Sequence, residues 1–420
     1  MNSGWKEYCL EDLLSYEQPT PYIVESTEYS DAFETPVLTA GASFILGYTD
    51  EAEGIYDQIP VIIFDDFTTA SKYVNFPFKV KSSAMKILTA NKELVLPKFI
   101  YYRMQTIKFE HSTHKRYWIQ QYSKIKVRIP SIKEQEQIVN KIEELFSELD
   151  SAVETLKKTK EQLTVYRQSV LKSAFDGAYT KEWRERNDHS VADYKNELYK
   201  KRCEAGNSSK YQLMEKISLP TIPNGWEWVF VGDIITSPEY GTSKKSLKVG
   251  QVPVLRMGNM KKGLIDWDDL VFSNDEADNI KYRLTDNDVL FNRTNSPEHV
   301  GKTSIFKGNR EAIFAGYIIR MNHLPDINAQ YLTYYMNSHV ARKYSNLVKT
   351  DGVNQSNINS KKLMSYPFPL CTRAEQDEIV TEIETRLSIC ENIEKTVNDA
   401  LVQTDAMRQS ILKKAFEGGL

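Results

Sequence analysis

The chain has 420 residues and a formal net charge of −3. That length allows two or three domains with separate cores, and the net charge taken whole points away from a polyanionic partner. No run approaches the ~18 consecutive apolar residues of a membrane span, and no basic-then-apolar leader opens the chain, so neither insertion nor export is expected.

The first 129 residues read as one head with a split charge. Residues 1–66 carry one basic side chain (Lys6) against fourteen acidic ones, whereas residues 67–129 carry thirteen basic against two acidic ones. Such asymmetry points either to opposite faces, one of them meeting a polyanion, or to halves that pair off internally. On the first reading Lys72, Lys79, Lys81, Arg103, Lys115 and Arg116 are candidate DNA contacts. Ile59 to Phe64 is a β-branched run that reads as a buried strand, and Ser83 to Met104 reads as mostly helical with a break at Pro97. Asp65-Asp66 ends the strand as either metal carboxylates or turn groups. His111 and His114, with Glu110 the one carboxylate beside them and no Cys, do not complete a metal set, and read as surface or phosphate-contacting groups.

Residues 130–177 form the first of two long helices, and residues 371–420 the second. Sliding the chain by 241 residues lays Arg167 to Gly177 on Arg408 to Gly418, and Glu134 to Val139 on Glu375 to Val380. A repeat of this length sets the architecture before any other reading. Steps of 4 and 3 alternate through Ile138, Ile142, Leu145, Leu149, Ala152, Leu156, Thr159, Leu163, Tyr166 and Val170. The second copy gives Ile379, Ile383, Arg386, Cys390, Ile393, Val397, Ala400, Thr404, Met407 and Ile411. A 3.5-residue apolar period demands a partner helix, and Thr159, Arg386 and Thr404 favour the two copies packing on each other. From Ile138 to Val170 the seam is roughly 48 Å at ~1.5 Å per residue, the length of a spacer. Glycines 177 and 418 are the expected stops. The four cysteines (Cys9, Cys203, Cys371, Cys390) are scattered, which fits a reducing cytoplasm, and Cys390 falls on the seam.

Residues 178–216 have linker composition, polar and charged, with Pro220 and Pro223 just beyond. Residues 217–370 form a second head that echoes the first: Gly225-Trp226 answers Gly4-Trp5, and Val252 to Leu255 answers Thr35 to Leu38. Strands are expected at 288–291 and 312–319 and a helix at 330–344. The loops suit DNA reading. Asn292, Arg293, Thr294 and Asn295 follow a strand, and Arg and Asn can pair two-pronged with base edges. Asn354, Gln355 and Ser356 stand on a small-residue loop, Lys244 and Lys245 suit backbone contact, and Arg256 and Lys302 are further candidate DNA contacts. For each loop the plain alternative is an ordinary polar turn. Gly301-Lys302-Thr303 ends like a phosphate loop, but Ser296 stands where the leading glycine belongs. Asn75-Phe76-Pro77-Phe78 half resembles an amino-methyltransferase motif without a cofactor loop before it. No complete catalytic constellation is visible.

Pro130 with Glu134 to Val139, the two Arg-to-Gly helix endings, Phe291 to Asn295, Val300 to Thr303, Gly352 to Gln355 and Pro367-Phe368-Pro369 together resemble the specificity (S) subunits of type I restriction-modification systems, over essentially the whole chain. The resemblance implies an α+β protein with two target recognition domains, two long antiparallel coiled-coil helices and an internal pseudo-two-fold repeat. It further implies that each head reads half of a split site in double-stranded DNA. The helices would set the gap and dock two methyltransferase (M) subunits carrying S-adenosylmethionine, with restriction (R) subunits beyond. This chain would hold no cofactor, metal or catalytic residue and would work in the cytoplasm. The first head departs from the pattern, with Phe64 to Thr69 where the second has Phe291 to Asn295. Two other classes stay open: a stand-alone two-headed DNA-binding or adaptor protein, and a fragment of a fused restriction-methylation enzyme.

Overall fold

A computed structural model describes residues 4–41, 43–110, 116–187, 190–308, 310–353 and 355–417. The chain divides into two compact units, Met1–Thr159 with Thr396–Leu420, and Lys160–Lys395. Each unit contains one head and parts of both long helices, and one sheet plan recurs in both.

In the first unit an antiparallel sheet runs in the order Leu14–Glu17, Met85–Ala90, Val61–Asp65, Ser71–Val74. Val61 to Phe64 are all buried, which is why this strand reads as an unbroken apolar run. A second sheet pairs Thr35–Leu38 antiparallel to Ile45–Thr49 and parallel to Lys79–Val80. In the second unit the corresponding sheets are Ile235–Tyr240, Ile318–His323, Val289–Asn292, Thr303–Ile305, and Val271–Ser273, Val252–Leu255, Ile313–Phe314. The second sheet again has one parallel pair. Each head closes with an antiparallel pair that leads into a long helix: Lys6–Cys9 with Lys126–Ile129, and Glu227–Phe230 with Pro367–Leu370.

Four local expectations change, the first at 312–319, which divides into Ile313–Phe314 in one sheet and Ile318–His323 in the other. Residues 83–90 are not helical, because Met85–Ala90 is an inner strand with Met85, Lys86, Ile87 and Leu88 buried; Pro97 instead starts the helix Pro97–Met104. The helix expected at 330–344 is two, Ala329–Met336 and His339–Val348, the second capped by Ser338 Oγ accepting from Ala341 N. The stretch 178–216 contains helices Lys181–Arg186 and Ala192–Glu204, and buries Val191, Leu198 and Arg202 in the second unit's core. Its polar composition hides this, since Arg202 is buried by hydrogen bonds to the Ser209 and Gly232 carbonyls.

The long helices run over Ile132–Phe175 (44 residues) and Arg373–Glu417 (45 residues). Gly177 closes the first at φ +72°, with its N–H on Ala174 O and that of Ala178 on Ser173 O, both at 3.0 Å; Gly418 lies outside the described residues. The helices pair antiparallel within each unit. In the first, Val139 and Ile142 share a core with Leu412, Ala415 and Phe416, while Asp150 further along meets Arg408. In the second, Val170 to Phe175 share a core with Ile379 to Ile383, while Arg167 pairs with Glu394 at 2.8 Å. Ile142, Leu149, Val170, Ile379, Ile383, Cys390 and Val397 are buried, and Ile138, Leu145, Leu156, Leu163 and Ile411 half-buried. Four seam positions are corrected: Ala152 and Tyr166 are exposed, and Ile393 and Met407 are 41% and 51% exposed. Glu394 and Arg408, held by ion pairs across the seam, take the half-covered places beside the last two.

The duplicated Glu-Gln pair seats each head on its helix. Trp5 Nε1 donates to Glu134 and Trp226 Nε1 to Glu375, both at 2.9 Å. The Gln135 amide accepts from Leu96 N at 2.8 Å and donates to the Leu94 and Pro130 carbonyls at 3.0 Å. Gln376 accepts from Asn328 N at 2.9 Å and donates to Cys371 O at 3.0 Å. Leu96 and Asn328 are the N-caps of Pro97–Met104 and Ala329–Met336, so one side chain satisfies the exposed start of a head helix in both copies. Both glutamines are fully buried, and a buried amide with its donors and acceptor met fixes a unique register.

Candidate nucleic-acid interface

In the second head the strand Val289–Asn292 does not turn straight back. Residues 293–302 make an excursion before Thr303–Ile305, and Thr294–Asn295 pairs there with Ser356–Asn357, which pairs with Thr350–Asp351. This small sheet carries the polar groups. The Arg293 guanidinium lies 4.9 Å from the centre of the Tyr240 ring and donates to Asn357 Oδ1 at 3.3 Å. Asn357 Nδ2 in turn donates to Thr294 Oγ1 at 2.8 Å. Stacking and one hydrogen bond hold the guanidinium in place; its Nε is buried without a partner among the described residues, so a base edge would be met by the terminal nitrogens. Tyr317, half exposed, sits beside it, its carbonyl accepting from Arg293 N.

The other expected contacts divide. Thr294, Asn295 and exposed Gln355 stand on or next to the small sheet, whereas Asn292 and Ser356 are buried, Ser356 bonded to Asp351. The Asn292 side chain has no hydrogen-bond partner among the described residues. Asn354 lies outside the described residues. Lys244 is tied to Asp275 (2.7 Å) and Asp278 (3.3 Å), and the Asp275 hydrogen bond raises its pKa. Lys245 is exposed with no ion pair among the described residues, and is the freer phosphate contact. Arg256 is held by the Asp269 carbonyl and carboxylate at 2.7 and 3.0 Å. Lys302 does not join the small sheet; it lines a cavity elsewhere in the unit. Tyr240, Tyr317 and Asn357 are not among the residues expected from sequence: a single aromatic residue at a strand end or in a turn leaves no periodic trace, although Asn357 closes the loop that contains Gln355.

The first head is built differently at the same place. Asp65 Oδ1 accepts from Phe67 N and Thr68 N at 2.9 and 2.8 Å, so residues 66–70 form a tight turn into Ser71–Val74. Asp66 is buried, accepts from Trp118 N at 2.8 Å and pairs with buried Lys86 at 3.4 Å. Both carboxylates are structural here. Much of the charge asymmetry is internal pairing: Lys79 with Glu51 (2.8 Å), Lys86 with Asp66, Lys126 with Glu7 (3.2 Å) and Lys124 with Glu11. Lys79 is therefore withdrawn as a DNA contact, since its ammonium is buried and also donates to Glu53 O at 2.6 Å. Arg103 packs over Phe416 and bonds Thr106 Oγ1 at 2.7 Å, and burial lowers its pKa. Half-buried Lys72 and exposed Lys81 and Arg116 have no ion pair among the described residues; Lys115 lies outside them.

The pattern that defines the type I restriction modification DNA specificity domain matches residues 2–164 and again residues 223–403. The chain belongs to that family. Among curated relatives, the specificity subunit of the Escherichia coli type I restriction enzyme EcoR124I/EcoR124II is 44% identical over 176 residues, 39% of this chain and 43% of that one. The EcoKI specificity subunit of E. coli strain K12 is 29% identical over 303 residues, 70% of this chain and 58% of that one. The matched stretch thus spans about half the length of these relatives. The fold is shared with a chain from a structure on complex assembly and conformational transition of the type I R-M system (TM-score 0.66, 15% identity, 99% of this chain and 98% of that one). It is also shared with the HsdS subunit of Thermoanaerobacter tengcongensis (TM-score 0.54, 16% identity, 99% and 97%). No helix among the described residues is long and apolar enough to cross a membrane.

Proposed function

We propose that this DNA specificity protein is the S subunit of a type I restriction-modification complex, each head reading one half of a split duplex site and the paired helices setting the gap. The observation that carries the reading is the doubled specificity domain, each copy seated on its helix by the same Trp-Glu and Gln contacts. Recognition in the second head falls to Arg293, Thr294, Asn295 and Asn357, with Lys245 on phosphate. Chemistry belongs to partners: methyltransferase subunits supply S-adenosylmethionine and modify adenine, and restriction subunits cut, all in the cytoplasm. Exposed Val165 and Tyr166 on the first helix, and Val402 and Met407 on the second, offer apolar surface for the methyltransferase subunits to cover. The test is to exchange residues 217–370 for those of a related subunit, co-express with the methyltransferase, and sequence the methylated sites. One half-site should change and the other persist; a change in both, or in neither, sinks the reading.

A further inference from the structure

The second unit contains a cavity of about 770 Å³ between the first long helix and its own head, within the ~300–1,000 Å³ range of small-molecule sites. Lys160, Arg167, Lys262, Lys302, Arg342 and Lys343 line it against one carboxylate, Glu394. Arg167 and Lys262 already engage that carboxylate, each at 2.8 Å. Lys302, Arg342 and Lys343 are left without an acidic partner among the described residues. Arg342 is held in place by donating to Val300 O (3.1 Å) and Glu298 O (2.6 Å). The Lys302 side chain makes no hydrogen bond among the described residues, and burial, then the nearby Arg342 guanidinium, push its pKa down.

The chain is shaped to put Lys302 there. Gly301 stands at φ +88°, and a Cβ on it would lie 2.6 Å from Ser345 Oγ. The Gly-Lys-Thr triplet lacks the glycine cradle of a phosphate loop, yet its lysine still reaches a recess. Half-covered Lys302 and Arg342, with only Glu298 opposing the charge on Lys302 from nearby, are costly to gather unless an anion joins them. Between the cations the lining is apolar, with Leu163, Leu171, Met260, Tyr334 and Leu387. A plain salt-binding patch does not need such a lining; a molecule with an apolar body does.

We propose that this cavity binds a small phosphorylated molecule with an aromatic body, of nucleoside monophosphate size. Lys302, Arg342 and Lys343 hold the phosphate, and Leu163, Leu171 and Leu387 cover the body. None of these residues belongs to the small sheet around Arg293, so the site stands or falls separately from DNA reading.

Isothermal titration of the full chain with adenosine and cytidine 5′-monophosphates tests it, beside adenosine and inorganic phosphate. At least one monophosphate should bind at a single saturable site, with adenosine and phosphate each about tenfold weaker or more. Lys302→Gln and Lys343→Gln should each weaken it about tenfold. Lys343 is exposed, so its variant should keep the wild-type unfolding midpoint. Absence of saturable binding by either monophosphate overturns the proposal. So does phosphate binding as tightly as the nucleotides, which would make the cavity a simple anion sink. Competitive displacement by duplex DNA also overturns it, because the occupant would then be the DNA backbone.

Discussion

The two heads share a sheet plan and a seat on the long helices but part company after the same strand. In the first, Val61–Asp65 turns back through a five-residue turn, and the next acid, Asp66, goes inward to Lys86. In the second, Val289–Asn292 is followed by ten residues before Thr303, and the residue after the strand, Arg293, goes outward onto Tyr240. A longer loop added beyond a satisfied sheet leaves the core hydrogen bonds untouched, so recognition can diverge while the scaffold stays. The same contrast marks the seats. Glu134 is exposed, whereas Glu375 is fully buried and bonded to Thr180 (2.8 Å), Arg184 (2.7 Å) and Trp226.

Removing the buried acids should therefore have the largest effects. Asp66→Ala and Glu375→Ala each strand a covered cation, Lys86 or Arg184, and should cost about 3–5 kcal/mol. Glu134→Ala loses one exposed hydrogen bond and should cost at most about 1 kcal/mol. Denaturant titrations with hydrogen exchange reporting on each unit would compare them; equal losses from Glu134→Ala and Glu375→Ala would mean the two seats are equivalent after all.

Arg293→Ala comes next, on binding instead of stability. It should cost roughly 1–3 kcal/mol on cognate duplex and relax one position of the target. Titration of cognate and single-base variants decides this, and parallel weakening on all duplexes would place Arg293 on the backbone.

Lys245→Ala should be milder, weakening every sequence alike and flattening the salt dependence by about one phosphate contact. Lys244→Ala should change that slope less, because Asp275 and Asp278 already compete for its ammonium. A larger slope change for Lys244 than for Lys245 would reverse the assignment.

By itself the sequence determined the duplication, the long Pro-free helices and most of the seam, whereas the antiparallel α+β plan is what the family resemblance implies. The first three rest on periodicity and on repeated motifs, which are local along the chain. It also pointed to the loop of Arg293. Only the tertiary structure decided which charges face water. Lys79, Lys86 and Arg202 look like surface residues one by one, and each is buried because partners distant in sequence, Glu51, Asp66 and the Gly232 carbonyl, meet its charge. Asn292 sits inside because it ends a strand whose four residues are all buried, and Arg293 is freer because the chain leaves the sheet there, which only the packing on both faces of that strand decides. The seam slip at Ile393 and Met407 has the same origin: ion pairs from Glu394 and Arg408 to the opposite helix outweigh an apolar repeat that one helix alone cannot orient.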